Sequence, residues 1–408
     1  MRTSDNHLGA FATVPQPQLP HEEWTLVESP EALLQAADQL ANGLGPVGVD
    51  AERASGYTYF SQAYLVQMSR RGAGTFVFDP TLIDDFDPLA QAIDDDEWIL
   101  HSAIADLDCL QEIGLTPPSL FDTELSARLL GMERVGLGAV VNELLGVELA
   151  KAHSASDWSK RPLPHDWLEY AALDVSYLPD LRDAMHDKLV DAEKLDIASQ
   201  EFEAVLHAPP KEKPLEPWRK ISGLGRVKNR VGLSIARELW IARDQFAQSV
   251  DTAPGRLLPD SAIVAASLQQ PRSMSELAKN KDFKGRASHS ELRRWWLAIL
   301  RGKKSDDLPS LRTAERSAFP HHRNWERKKP EAHQRLVTAR AALEAESERL
   351  NIPLENLLKP IMLRELAWAP PEVISDEAVA LQLEKLGARP WQRDATSQII
   401  ARSFVETQ

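Results

Sequence analysis

At 408 residues the chain is expected to hold two or three domains, and 43% hydrophobic with 26% charged residues describes a folded globular protein, not a disordered one. Its single cysteine, Cys109, excludes an intrachain disulfide framework and a cysteine-based zinc site, and fits a reducing compartment. The net charge of −14 conceals a split: residues 1–210 hold 12 Lys and Arg against 36 Asp and Glu, whereas residues 211–408 hold 35 against 25. An acidic half suits divalent metals, and a basic half suits a phosphate backbone.

Residues 1–22 carry no apolar run of the kind a signal peptide needs and read as a disordered tail. Nothing in the chain approaches the roughly 18 consecutive apolar residues of a membrane helix. A cytoplasmic location is expected. Residues 23–208 alternate strand-like and helix-like segments. Strands are predicted at Pro46–Asp50, Tyr64–Ser69, Gly74–Asp79 and Trp98–His101, with helices dominating from Asp122. This mixture indicates an α/β domain around one central sheet. Residues 209–225 read as a linker, since four prolines between Pro209 and Pro217 forbid a helix. Helical periodicity then defines a block at 226–304, a second linker at 305–320 and a further helical block at 321–404.

Three segments offer chemistry. Asp50-Ala51-Glu52 ends the first predicted strand, where residues i and i+2 share a face and both carboxylates can reach one metal ion. His101 to Leu110 runs from a strand into a helix and contains two acids, Asp106 and Asp108, that spacing does not separate. Tyr170 and Asp174 lie at i and i+4 on a helix predicted to begin near Pro164, so the phenol and carboxylate point the same way. Each motif taken alone is also compatible with an ordinary polar surface.

Their order is more specific. Asp-x-Glu on the first strand, an acid at a strand-to-helix junction, then Tyr-x-x-x-Asp on a late helix resembles the DEDD superfamily of 3′→5′ exonucleases, and within it the tyrosine-containing branch typified by the ribonuclease D family. Tyr64-Leu65-Val66-Gln67, Leu120-Phe121-Asp122-Thr123, Ala127-Arg128-Leu129-Leu130-Gly131 and Ser156 to Leu163 resemble further segments of that family. The resemblance implies a ribonuclease H-like exonuclease fold, with a mixed central sheet flanked by helices. It also implies that Asp50, Glu52, Asp106 and Asp174 bind two divalent ions, Mg²⁺ or Mn²⁺, and that Tyr170 orients the attacking water. It selects Asp106 over Asp108. Ala51 departs from the threonine common in relatives, at a position whose side chain need not reach metal. Trp158 is a candidate to stack on a base, and Lys160 and Arg161 to contact phosphate.

Beyond the linker, the amphipathic run from Lys228 and the Asp260-Ser261 helix start resemble an HRDC domain, and residues 321–404 resemble a second HRDC-like all-α domain. Residues 272–340 hold 18 Lys and Arg against 8 Asp and Glu, which suits backbone contact without base readout. Arg293-Arg294-Trp295-Trp296 fits either single-strand stacking or a helix core. Gly223-Leu224-Gly225 lacks a following Gly-Lys and is not a Walker loop.

The expected activity is release of nucleoside 5′-monophosphates from RNA with a free 3′ end, tRNA precursors being the substrate the family implies. Two other readings remain: a 3′→5′ exonuclease acting on single-stranded DNA, and a catalytically silent RNA-binding module. The intact set of Asp50, Glu52, Asp106, Tyr170 and Asp174 speaks against the last.

Overall fold

The computed structural model describes residues 23–149, 153, 155–210, 214–283, 285–311 and 319–407. The expected N-terminal tail and parts of both linkers lie outside the described residues. No helix among those described is long and apolar enough to cross a membrane.

The first domain contains β1 (Trp24–Val27), α1 (Pro30–Ala41), β2 (Leu44–Arg53), β3 (Ala63–Arg71), β4 (Gly74–Phe78), α2 (Asp87–Ala92), β5 (Glu97–Leu100), α3 (Leu107–Gln111), β6 (Ser119–Asp122), α4 (Thr123–Leu129), α5 (Leu137–Leu145), α6 (His165–Ser176), α7 (Leu178–Asp191) and α8 (Leu195–Leu206). The six strands form one mixed sheet in the order β1-β4-β3-β2-β5-β6. β3 runs antiparallel to both its neighbours, whereas the β1–β4, β2–β5 and β5–β6 pairs are parallel. The four predicted strands are present, and β1 and β6 join them at the two edges. Each of these has only four residues, too few to display a period-two pattern. β3 is buried on both faces from Ala63 to Arg70, as a central strand covered by helices must be.

Local chemistry starts and stops these elements. Ser29 caps α1 by accepting a hydrogen bond from the Ala32 backbone N–H at 3.2 Å, with Pro30 pre-set for the first turn. Gly48 lets the helical layer approach β2: a Cβ there would lie 3.0 Å from Leu178 Cβ and 3.2 Å from the Val175 carbonyl oxygen.

The second domain is helical, with α9 (Arg230–Ser249), α10 (Pro254–Leu257), α11 (Asp260–Gln269), α12 (Met274–Ala278), α13 (Arg286–Ser290) and α14 (Leu292–Lys304). Its own apolar core begins at Trp218, inside the stretch expected to be linker, because Trp218, Ile221 and Leu224 pack with Leu239 and Ile263. Trp295 is fully buried there and its indole N–H donates to the Ser288 carbonyl, so it belongs to the core and is unavailable for stacking on a base. The third domain comprises α15 (Trp325–Lys328), α16 (Pro330–Leu350), α17 (Leu354–Leu357), α18 (Pro360–Trp368), α19 (Asp376–Lys385) and α20 (Pro390–Val405).

The third domain does not stand apart. Its apolar residues form one continuous core with those of the first domain, from Phe121 and Phe202 to Trp391 and Phe404. Polar contacts stitch the seam. The Trp391 indole N–H donates to Glu201 at 2.9 Å, Arg389 pairs with Glu201 at 3.2 Å, and Lys194 donates to the carbonyls of Leu129 and Asn351.

Candidate metal centre

Asp50 and Glu52 project from the end of β2 into a cleft of about 230 Å³ that His101, Tyr170 and Asp174 also line. Tyr170 and Asp174 lie one turn apart on α6, which Pro164 opens, so the phenol and the carboxylate share one face. Ligand oxygens of Asp50, Glu52 and Asp174 all fall within 4.8 Å of one another. A strand pair and a helix turn are thus brought together by packing α6 against β2, at the close approach Gly48 permits.

Asp106 is placed differently. β5 leads into a short 3-10 turn, Ala103–Ala105, entered through Ser102 in the left-handed region at φ 69°. Asp122, at the start of α4, holds that turn by accepting from the N–H groups of Ser102 (3.1 Å), Ala103 (2.8 Å) and Leu125 (3.0 Å). Asp106 then occupies the N-cap position of α3 without making a capping hydrogen bond. Its buried carboxylate instead pairs with Arg53 at 3.3 Å, whereas Asp108 is exposed. The acid that spacing left ambiguous is resolved by the turn: Asp106 faces Asp50 and Asp108 faces outward.

Burial and mutual repulsion govern the charges. Burial, then the neighbouring Asp50 and Asp174, push the Glu52 carboxyl up to about 9. Burial and Asp50 push Asp106 up to about 8, with Arg53 opposing. Asp50 is raised to about 6, chiefly by burial, and Asp174 well above the usual carboxylate range by burial and Asp50. Such a cluster ionises fully only when cations fill it. Its donors are all hard oxygens, which fit a divalent cation of the magnesium or manganese type. Burial and the adjacent carboxylates raise the Tyr170 phenol far above its ordinary value, so it stays protonated.

Two further residues in this environment carried no assigned role in the sequence. Gln67 is fully buried opposite Asp50 on β3; with its amide nitrogen turned toward Asp50, it lies 3.2 Å from Asp50 Oδ2 and 3.0 Å from the Asp50 carbonyl. His101 places Nδ1 2.9 Å from Thr123 Oγ1, and burial lowers its pKa to about 4, so it lines the cleft as a neutral ring.

The candidate substrate contacts need correction. Trp158 is fully buried, packed edge-on against Trp167 at 5.3 Å, and cannot stack on a base. Arg161 is consumed internally: Nε and Nη2 grip Asp79 at 2.6 and 2.7 Å, and Nη2 also donates to the Tyr64 carbonyl. Lys160 is exposed, 4.0 Å from Asp157, where it can meet a phosphate.

Residues 25–190 match a family model described as a 3′–5′ exonuclease, and residues 232–297 match the HRDC domain. Residues 318–404, which resemble a second HRDC-like domain in sequence, match a model described as a 3′ to 5′ exonuclease C-terminal domain. Ribonuclease D of Desulfotalea psychrophila is 30% identical over 242 residues, covering 58% of this chain and 64% of that protein, just under two thirds of its length. A solved structure of a protein from Bifidobacterium adolescentis superposes with a TM-score of 0.87 at 33% identity, covering 96% of this chain and 100% of that one. Escherichia coli RNase D shares the fold with a TM-score of 0.66 at 23% identity, over 90% of this chain and 98% of that chain. With the carboxylate cluster on the exonuclease domain and the HRDC domain following it, the chain is similar to ribonuclease D in both its domain order and its sequence.

Proposed function

We propose that the protein is a metal-dependent 3′→5′ exoribonuclease that acts on RNA with a free 3′ end, tRNA precursors among its substrates. The observation that carries this reading is the convergence of Asp50, Glu52 and Asp174 within ligand distance of one another, with the Tyr170 hydroxyl on the same rim. Its relatives' description as ribonuclease D supports RNA as the substrate.

Asp50, Glu52 and Asp174 would hold the first of two ions, Mg²⁺ or Mn²⁺, and Asp106 would share in the second. Bound there, the ions supply Lewis acidity at the scissile phosphate and ease deprotonation of water. The chain's own groups do the positioning. Tyr170, one turn before Asp174 on the same helix, keeps its proton and presents its hydroxyl to orient the attacking water. Its raised pKa removes it as a free base. Gln67 steadies the Asp50 carboxylate from the neighbouring strand. Water oxygen bonds to phosphorus, the bond to the 3′-oxygen of the preceding nucleotide breaks, and that oxygen takes up a proton. The products are a nucleoside 5′-monophosphate and a chain one nucleotide shorter. The exposed Lys160 and the basic second half bind the remaining backbone.

The test is digestion of matched RNA and DNA single strands with Mg²⁺, Mn²⁺ or EDTA, alongside Asp174→Asn. Stepwise release of 5′-mononucleotides from RNA is expected, with none in EDTA and a loss of roughly a thousandfold in the variant, about 4 kcal/mol of transition-state stabilisation. Preference for DNA would make the protein a DNA exonuclease. Binding without cleavage under every metal condition would leave an RNA-binding module.

A further inference from the structure

The fourth carboxylate of the centre stands outside the set whose oxygens converge. Asp50, Glu52 and Asp174 form a ligand cluster among the described residues, and Asp106 is absent from it although Asp50 is near enough to raise its pKa. What Asp106 holds instead is a guanidinium, Arg53 Nη2, at 3.3 Å.

Arg53 reaches it through an irregularity in the sheet. In a regular strand the residue after Glu52 points to the opposite face, away from the cleft. The β2–β3 register slips at this step: Glu52 pairs with Leu65 but Arg53 pairs with Ala63, leaving Tyr64 unopposed. Bulges of this kind redirect side chains beside active sites. The slip is locked by packing. Tyr64 is buried, its carbonyl accepts from Arg161 at 2.7 Å, and its hydroxyl donates to Asp251 of the second domain at 3.4 Å.

Arg53 has no ionic partner but Asp106 among the described residues, and its side chain is 30% exposed, so it is reachable from solvent. It is a permanent cation whose planar fork matches phosphate as well as carboxylate.

We infer that Arg53 is a built-in counter-ion that occupies Asp106 in the free protein and is drawn away by the substrate's phosphate. The free protein then offers one strong cation site, at Asp50, Glu52 and Asp174. A second, which needs Asp106, opens only when a phosphate engages Arg53. The inference deepens the metal-dependent reading of the same centre and rests on it. Its consequence is that metal loading and nucleic-acid binding are coupled: each strengthens the other by the same factor.

The test counts bound Mn²⁺ by equilibrium dialysis of the full chain, with and without saturating AMP, a phosphate ligand that this activity does not consume. The wild-type protein should bind one Mn²⁺ tightly alone and two with AMP. Arg53→Ala should bind two without AMP and hold AMP roughly tenfold more weakly, since a charge-assisted contact is lost. Arg53→Lys, which keeps the charge and guards against a folding defect, should restore the dependence on AMP. Two tightly bound ions in wild type without AMP, or one ion in Arg53→Ala under both conditions, would overturn the role of Arg53 and leave the metal centre standing. No Mn²⁺ bound to wild type, or binding indifferent to Asp50→Ala, would remove the metal centre itself and this inference with it.

Discussion

Asp251 of the second domain accepts, through Oδ1, the backbone N–H of Tyr59 in the first domain at 3.0 Å. The same oxygen accepts from the Phe60 N–H at 3.1 Å, and Arg256 stacks over the Tyr57 ring while donating to the Gly56 carbonyl. The loop that follows the metal-binding strand is therefore held from across a domain boundary. Asp251 itself sits at φ 41°, so Asp251→Gly removes the carboxylate without straining the backbone. Loss of these bonds should cost about 2 kcal/mol and raise hydrogen exchange at amides 54–62. Asp251→Asn, which retains an oxygen acceptor, should preserve most of the protection. Equal exchange in wild type and Asp251→Gly would mean the loop is held by its own turns.

Tyr170→Phe keeps the ring, which packs edge-on against His153 at 5.8 Å, and deletes the hydroxyl. If the hydroxyl orients water, kcat should fall roughly 10- to 100-fold with KM little changed. Because the phenol stays protonated, the alkaline limb of the pH–rate profile should be the same in both proteins. A limb that disappears in the variant would assign proton transfer to Tyr170.

The metal-free protein should lose stability as pH rises. Glu52 and Asp106 have ordinary values of 4.5 and 3.8 but about 9 and about 8 in the fold. Across the intervening window the folded state binds more protons than the unfolded one, so unfolding free energy falls with pH, by at most about 1.4 kcal/mol per pH unit for each proton. Mn²⁺ should flatten or reverse that slope, since cations bind the deprotonated carboxylates. Thermal unfolding between pH 5 and 9, in EDTA and in Mn²⁺, measures both curves. A flat EDTA curve would show that the cluster is already ionised without metal.

Trp391 bridges the first and third domains, with its ring buried and its indole nitrogen on Glu201. Trp391→Ala should destabilise the exonuclease domain by about 3–5 kcal/mol, because it opens a cavity and strips a buried acceptor of its donor. The reading is the unfolding midpoint of the first domain, followed by activity loss on warming. An unaffected midpoint would make the seam incidental.

How much of this was legible in the sequence depended on distance along the chain. Asp50 with Glu52, and Tyr170 with Asp174, are pairs whose common face follows from strand and helix periodicity alone. Asp106 and Asp108 lie within one turn, and only the packing of Asp122 beneath Ser102 and Ala103 decides which faces inward. Gln67 and Arg53 escaped notice because their roles depend on cross-strand register, and for Arg53 on a slip in it. Trp158 and Arg161 sit beside the last motif in sequence, yet the ring turns into the core and the guanidinium closes on Asp79, 82 positions away. An apolar helix stripe, likewise, does not say which domain it will cover.

The core shared by the first and third domains has a consequence for synthesis. The exonuclease domain emerges from the ribosome first, but the surface around Glu201 and Phe202 is not covered until Trp391 and Phe404 have been made. At 5–20 residues per second that interval is roughly 10–40 s. The second domain, whose core is separate, can fold in the meantime. During that interval the nascent nuclease exposes an apolar face of its own, a natural binding site for chaperones. A chain cut short in its last helix would leave that face open for good.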